Sequence, residues 1–147
     1  MRDTSSYPYP TSEAARRVAL GNRSRDTAPE VRLRAELHRR GLRFRKHRRP
    51  VATVRSTPDI VFGPARLAVF VDGCFWHCCP EHGRTPRGNA AYWVPKLARN
   101  VARDRRNEEA LRAAGWQVIR VWEHEQIGAA ADRVSAALRM QRRAGRN

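Results

Sequence analysis

No run of about 18 consecutive apolar residues occurs in the 147-residue chain, so nothing in it reads as a membrane-crossing helix. The first residues, MRDTSSYPYPTSEAARR, lack the apolar core that a secretory signal needs, and the expectation is a cytoplasmic protein. Lysine is almost missing: Lys46 and Lys96 stand alone among thirty basic residues, the rest being arginine. Acids are also scarce, fourteen in all, which leaves a net charge of +16. That excess favours a polyanion, because each phosphate neutralised releases condensed counterions, and it is far more than solubility requires. Cysteine is limited to Cys74, Cys78 and Cys79, an odd number crowded into six residues. A secreted disulfide scaffold needs an even number spread along the chain, so metal ligation or buried thiols are the readings left.

What is present fits one domain, since a chain of this length buries about two-thirds of the surface its unfolded form exposes. Residues 1–14, rich in Ser, Thr, Pro and Tyr, read as a flexible arm, 15–141 as the folded domain, and 142–147 as a basic tail. Thr27 followed by Pro29, Glu30 and a terminal Gly41 predicts a helix over 27–41 with a capping box, against an alternation of Val31, Leu33, Ala35 and Leu37 that would suit a strand. Strands are predicted at 42–47, 58–62 and 66–72, the last two joined by Gly63-Pro64-Ala65 at hairpin length. The run Leu67–Val71 is apolar on both faces, as in a central strand. A loop over 73–91, a helix over 92–114 stopped by Gly115, a strand over 116–122 and a helix over 129–141 complete the order α-β-β-β-α-β-α. The expected fold class is therefore α/β, a mixed sheet with helices packed on it.

The stretch VDGCFWHCCPEHG, residues 71–83, holds all three cysteines, two histidines and a Phe-Trp pair. Zinc takes four soft or borderline ligands in a tetrahedron, and a loop supplies two or three when they lie a few residues apart. Cys74, Cys79 and His82 are the loop candidates, with His124 in VWEHE as the fourth; the alternative is buried thiols with surface histidines. His77 follows a central strand and reads as a ligand, a general acid/base or a carboxylate's partner. Asp59 in TPDIVF opens one strand and Asp72 closes the next. Across a tight hairpin these carboxylates fall on one face of the sheet, a site for a hard cation such as magnesium, although Asp59 alone also suits a turn.

A helix, three strands, a helix and a strand, with PD at the second strand, resembles the restriction-endonuclease-like core of the PD-(D/E)xK nucleases, in which acids hold metal and a lysine assists water. Here no lysine follows Asp59 until Lys96. Read together, RDTAPEVRLRAEL, TPDIVF, VFVDGCFWH, YWVPKLARNVARDRRN and GWQVIRVWEHE resemble one branch of that superfamily, the very short patch repair endonucleases, from about Arg25 to Glu125. The resemblance implies a bacterial, nucleoid-associated enzyme that nicks duplex DNA 5′ to the mispaired thymine of T:G mismatches, left by deamination of 5-methylcytosine.

Position by position, the resemblance makes Asp59 the Mg²⁺ ligand and His77 the histidine that assists the water in place of lysine. Glu30 and Asp104 become the acids that hold metal-bound waters, beside their simpler readings as a capping residue and a solvated acid. Phe75, Trp76 and Trp93 match rings that enter the base stack, although Trp93 also suits a helix core. The zinc set Cys74, Cys79, His82 and His124 agrees in position with a structural Zn²⁺. Two departures stand out: the only methionines, Met1 and Met140, leave no N-terminal methionine wedge, and Asp72 sits where some members have histidine. The implied partner is double-stranded DNA with a T:G mismatch, bound by a monomer, with a mismatch-repair protein as a candidate second partner. Rival readings are a restriction or defence nuclease on the same scaffold and a non-catalytic zinc-stabilised DNA-binding module.

Overall fold

The computed structural model describes residues 26–73, 80–81 and 90–146. Within them the order is α1 (Ala28–Arg39), β1 (Arg45–Lys46), β2 (Ile60–Phe62), β3 (Leu67–Asp72), α2 (Ala90–Ala113), β4 (Gln117–Trp122) and α3 (Ile127–Ala144). The strands form one mixed sheet in the order β1-β2-β3-β4. β1 and β2 pair antiparallel, as do β2 and β3, while β3 and β4 run parallel. A parallel pair needs a long crossover, and α2 supplies it.

The two periodicities competing in α1 are resolved by burial. Leu33 and Leu37, one helical turn apart, are fully buried, whereas Val31 is 44% exposed. A strand would have put Val31 and Leu33 on the same face. The capping box is not formed as the sequence suggests. Thr27 makes no side-chain cap bond, and Glu30 points to other partners described below. The strand predicted over 42–47 shrinks to Arg45–Lys46. Its first half is anchored instead by Phe44, which stacks on His38 of α1 at 4.4 Å between centroids and meets Phe62 edge-on at 5.8 Å.

β2 and β3 form the predicted hairpin, closed by the Arg66 N–H donating to the Gly63 carbonyl at 3.1 Å. β3 lies between β2 and β4, and its alternate residues feed two cores. Leu67 and Val69 join Ile60, Phe62, Ile119 and Val121 beneath α1 and α3. On the opposite face Val118 packs with Val54 and Leu111 of α2, flanked by Phe70 and Trp116. The buried residues of α3, among them Ala130, Val134 and Leu138, recur at three- and four-residue steps, and the helix extends to Ala144, taking Arg142 and Arg143 into its last turn. α2 ends on Gly115 at φ +87°, a left-handed conformation that glycine adopts without a Cβ penalty, and the Trp116 N–H closes the turn on the Leu111 carbonyl at 3.0 Å.

Candidate active site

Three segments far apart in sequence meet beside β1 and β2: the first turn of α1, the residue after β1 and the residue before β2. Glu30, in α1, is 1% exposed. A buried carboxylate is tolerated only when cations or donors meet it. Glu30 Oε1 takes His47 Nε2 at 2.9 Å and is ion-paired with Arg34 one helical turn on. Arg34 also holds Asp26 at 2.7 Å. The other ring nitrogen of His47, Nδ1, faces Asp59 Oδ1 at 3.9 Å. Asp59 Oδ2 in turn accepts the Val71 backbone N–H at 2.7 Å, which pins the carboxylate to the neighbouring strand. Glu30 and Asp59, two of the acids that stand out in the sequence, thus sit at either end of one imidazole.

Burial pushes the Asp59 carboxyl up to about 6; the Val71 N–H pulls it back, the charges of Glu30 and Asp72 add to the rise, and His47 opposes it. Such a group is poorly solvated and repelled by its neighbours, and a bound dication relieves both. This donor set fits a hard divalent ion, which binds through one or two carboxylates plus water and substrate phosphate. Asp26, Glu30 and His47 also offer ligand atoms within 4.8 Å of one another, but Arg34 already meets the charge of both acids.

Asp72 has a different environment. It is 3% exposed, and its Oδ2 accepts Arg120 Nη1 at 2.6 Å. Arg120 lies opposite Phe70 in the parallel register and covers its ring at 4.7 Å. Its Nε reaches Glu108 of α2 at 2.9 Å, and Nη2 reaches the Asp104 carbonyl at 3.5 Å. Burial works against the charge on this guanidinium, but Asp72 and Glu108 outweigh it and the pKa is raised. The hairpin does bring Asp72 near enough to Asp59 to raise its pKa, yet Asp72 is committed to an arginine. Asp104, whose carboxylate is 4.0 Å from Arg103, opens with Asp72, Arg120 and Trp122 onto a cleft of about 350 Å³.

Trp93 is half-buried in the first turns of α2, meeting Tyr92 edge-on at 5.2 Å with the Lys96 ammonium 5.4 Å from its ring. Further along the helix Lys96, Arg99, Asn100, Arg103 and Arg106 line a second cleft, of about 470 Å³. Their three- and four-residue spacing gives one helix face the charge that a phosphate backbone calls for. His124, just past β4, lies with Nε2 3.3 Å from Glu81 Oε2. Cys74, Phe75, Trp76, His77, Cys79 and His82 lie outside the described residues.

Two contributors carry little mark of their role in the sequence. His47 reads as an ordinary member of the strand LRFRKH, and the signal that distinguishes it is conformational, a left-handed φ of +50°. Arg120 is inconspicuous inside WQVIRVW, although an arginine within a largely apolar strand demands an acid on the facing surface.

The comparisons with known proteins point the same way. The family model described as DNA mismatch endonuclease Vsr matches residues 11–81. The type II nicking enzyme V.NaeI of Lentzea aerocolonigenes is 50% identical over 123 residues, 82% of this chain and 74% of that protein. The type II nicking enzyme V.XorIIP of Xanthomonas oryzae pv. oryzae is 48% identical over 106 residues, 70% of this chain and 74% of its own length. The DNA mismatch endonuclease Vsr of Escherichia coli K12 is 38% identical over 104 residues, 68% of this chain and 63% of the relative. A buried helix glutamate beside an aspartate at a strand start, a basic helix face and relatives of this closeness agree: the chain belongs to the Vsr family and is an endonuclease acting on DNA.

Proposed function

We propose that the protein is a magnesium-dependent mismatch endonuclease that nicks one strand 5′ to the mispaired thymine of a T:G pair. The observation that carries this reading is Asp59: buried, hydrogen-bonded to Val71, and forced up to about 6 beside Glu30, it is a carboxylate built for a dication. Bound Mg²⁺ supplies Lewis-acid stabilisation of the charge that builds on the phosphate. Asp59 anchors that ion, while Glu30 and Asp104 orient water near it. His77 takes the proton of the attacking water, in the role that lysine fills elsewhere in the superfamily, as the water oxygen bonds to phosphorus and the bond to the 3′-oxygen breaks, the released oxygen taking its proton from solvent. Phe75, Trp76 and Trp93 replace the stacking lost when the mismatch opens, a modest loss because a T:G wobble unstacks more cheaply than a Watson–Crick pair. The arginines of α2 neutralise phosphates, and one copy of the chain acts on the duplex.

A second reading has its own support, since the relatives at 50% and 48% identity are named as type II nicking enzymes. On it, the chain is a restriction or other defence nuclease on the same scaffold, cutting unmodified or methylated duplexes. Purified protein given T:G, T:A, hemimethylated and unmodified duplexes with Mg²⁺ separates the two. Nicking confined to T:G supports the mismatch reading, and equal cutting of a fully paired duplex overturns it.

We also propose a structural zinc on Cys74, Cys79, His82 and His124. The contact of His124 with Glu81, which sits between Cys79-Pro80 and His82 in sequence, supports it. Elemental analysis of chelator-washed protein is expected to find about one zinc per chain, because structural zinc is bound too tightly for a brief wash to remove. A folded chain without zinc refutes the site.

A further inference from the structure

We infer that His47 is the positioning residue of the metal site, holding Glu30 in place beside Asp59 through its ring. The inference rests on the metal-dependent reading above and extends it to a residue outside the acids and His77.

Geometry fixes the roles of the two ring nitrogens. Nε2 lies 2.9 Å from Glu30 Oε1 and 3.4 Å from Asp26 Oδ1, so this edge of the ring meets both of those acids, Glu30 the more closely. Nδ1 is 3.9 Å from Asp59 Oδ1, beyond a hydrogen bond, so the ring spaces the two carboxylates without tying up the oxygen that faces a cation. The backbone adds a second link, because the His47 N–H donates to the Asp59 carbonyl at 3.3 Å. A left-handed φ of +50° turns the chain so that both its N–H and its ring face this corner, and Phe44 three residues earlier anchors the segment on α1. Arg34 neutralises Glu30 from the other side and turns its second nitrogen to Asp26, so among the described residues His47 is the side chain that spans Glu30 and Asp59. Partners that orient metal-binding groups in this way typically change metal affinity by ~10–100-fold when removed.

The test uses the full chain, Mn²⁺ as probe, and electron paramagnetic resonance to count free ion. His47→Asn keeps a residue that tolerates the left-handed backbone but is too short to reach Glu30. His47→Gln has an amide N–H long enough to donate to it. His47→Asn is expected to weaken Mn²⁺ binding ~10-fold or more, with duplex binding in EDTA unchanged, and His47→Gln to restore affinity to within about threefold. If Asp59→Asn abolishes Mn²⁺ binding while His47→Asn leaves it within twofold of the parent, the positioning role is overturned and the metal reading stands. Equal losses in the asparagine and glutamine variants also overturn it, since the polar contact with Glu30 would then not be what matters. If Asp59→Asn binds Mn²⁺ like the parent, it is the metal seat itself that fails.

Discussion

On the proposed metal-dependent reading, replacing Asp59 with asparagine is expected to reduce nicking of a T:G duplex by about 10³-fold or more, because it removes the anchor of an ion worth several kcal/mol to the transition state. The same variant should make the metal-free protein more stable, and the two effects have one origin. Asparagine keeps a carbonyl for the Val71 N–H but carries no charge, so the burial and the repulsion from Glu30 and Asp72 no longer act against it. The carboxyl titrates at 3.8 when unfolded and at about 6 when folded, so between those values the native state binds the extra proton. Wild-type stability therefore falls with rising pH across that window, carries the full penalty above pH 6 and none below 3.8. A tenfold difference in proton affinity between the folded and unfolded states is worth about 1.4 kcal/mol, so the gain in the variant should be about 1–3 kcal/mol at neutral pH and vanish near pH 4. Urea denaturation in EDTA across that range measures it. Adding Mn²⁺ should close the gap by stabilising the wild type alone. A gain that is the same at every pH, or a variant that nicks normally, contradicts the assignment of Asp59.

Much of the scaffold behind that residue is legible in the chain. The hairpin follows from a turn of Gly63-Pro64-Ala65 between two β-rich runs, and the central place of β3 follows from Leu67–Val71 being apolar at every position. Asp59 is legible because a Pro-Asp pair at a strand start stands out in a chain poor in acid. Glu30 is legible only in part. A glutamate three residues after Thr27 satisfies a local rule, the capping box, yet its carboxylate goes to His47, which lies beyond the helix. Local spacing cannot reveal that choice, because it depends on where the segment after β1 returns. The same limit hides the bond between Asp72 and Arg120, which are 48 positions apart in sequence and become neighbours only through the parallel register of β3 and β4. What is legible is what neighbours in sequence decide, and the partners behind the acids are brought in by strands that meet after folding.

Those partners carry the largest expected stability effect. Arg120→Met preserves bulk over Phe70 but removes the cation at 2.6 Å from Asp72 and 2.9 Å from Glu108. Taking one member from a buried ion pair is expected to cost about 3 kcal/mol or more, since the charge left behind was desolvated on the strength of its partner. Glu108 is the lesser loss, because Arg112 also holds it at 2.9 Å and it is more exposed than Asp72. Adding Asp72→Asn to Arg120→Met should therefore recover much of the loss, and the double-mutant cycle should give a coupling of about 1–3 kcal/mol. The consequence reaches Asp59 through charge. Asp72 already pushes the Asp59 carboxyl upward, and without Arg120 to offset it that push grows. Arg120→Met should then nick more weakly at limiting Mg²⁺ and regain rate as pH is raised, whereas the double variant, with no charge at position 72, should not need the higher pH. If Arg120→Met unfolds at the same urea concentration as the parent, the pair contributes no net stability; if its pH–rate profile is also unchanged, Asp72 and Asp59 do not communicate.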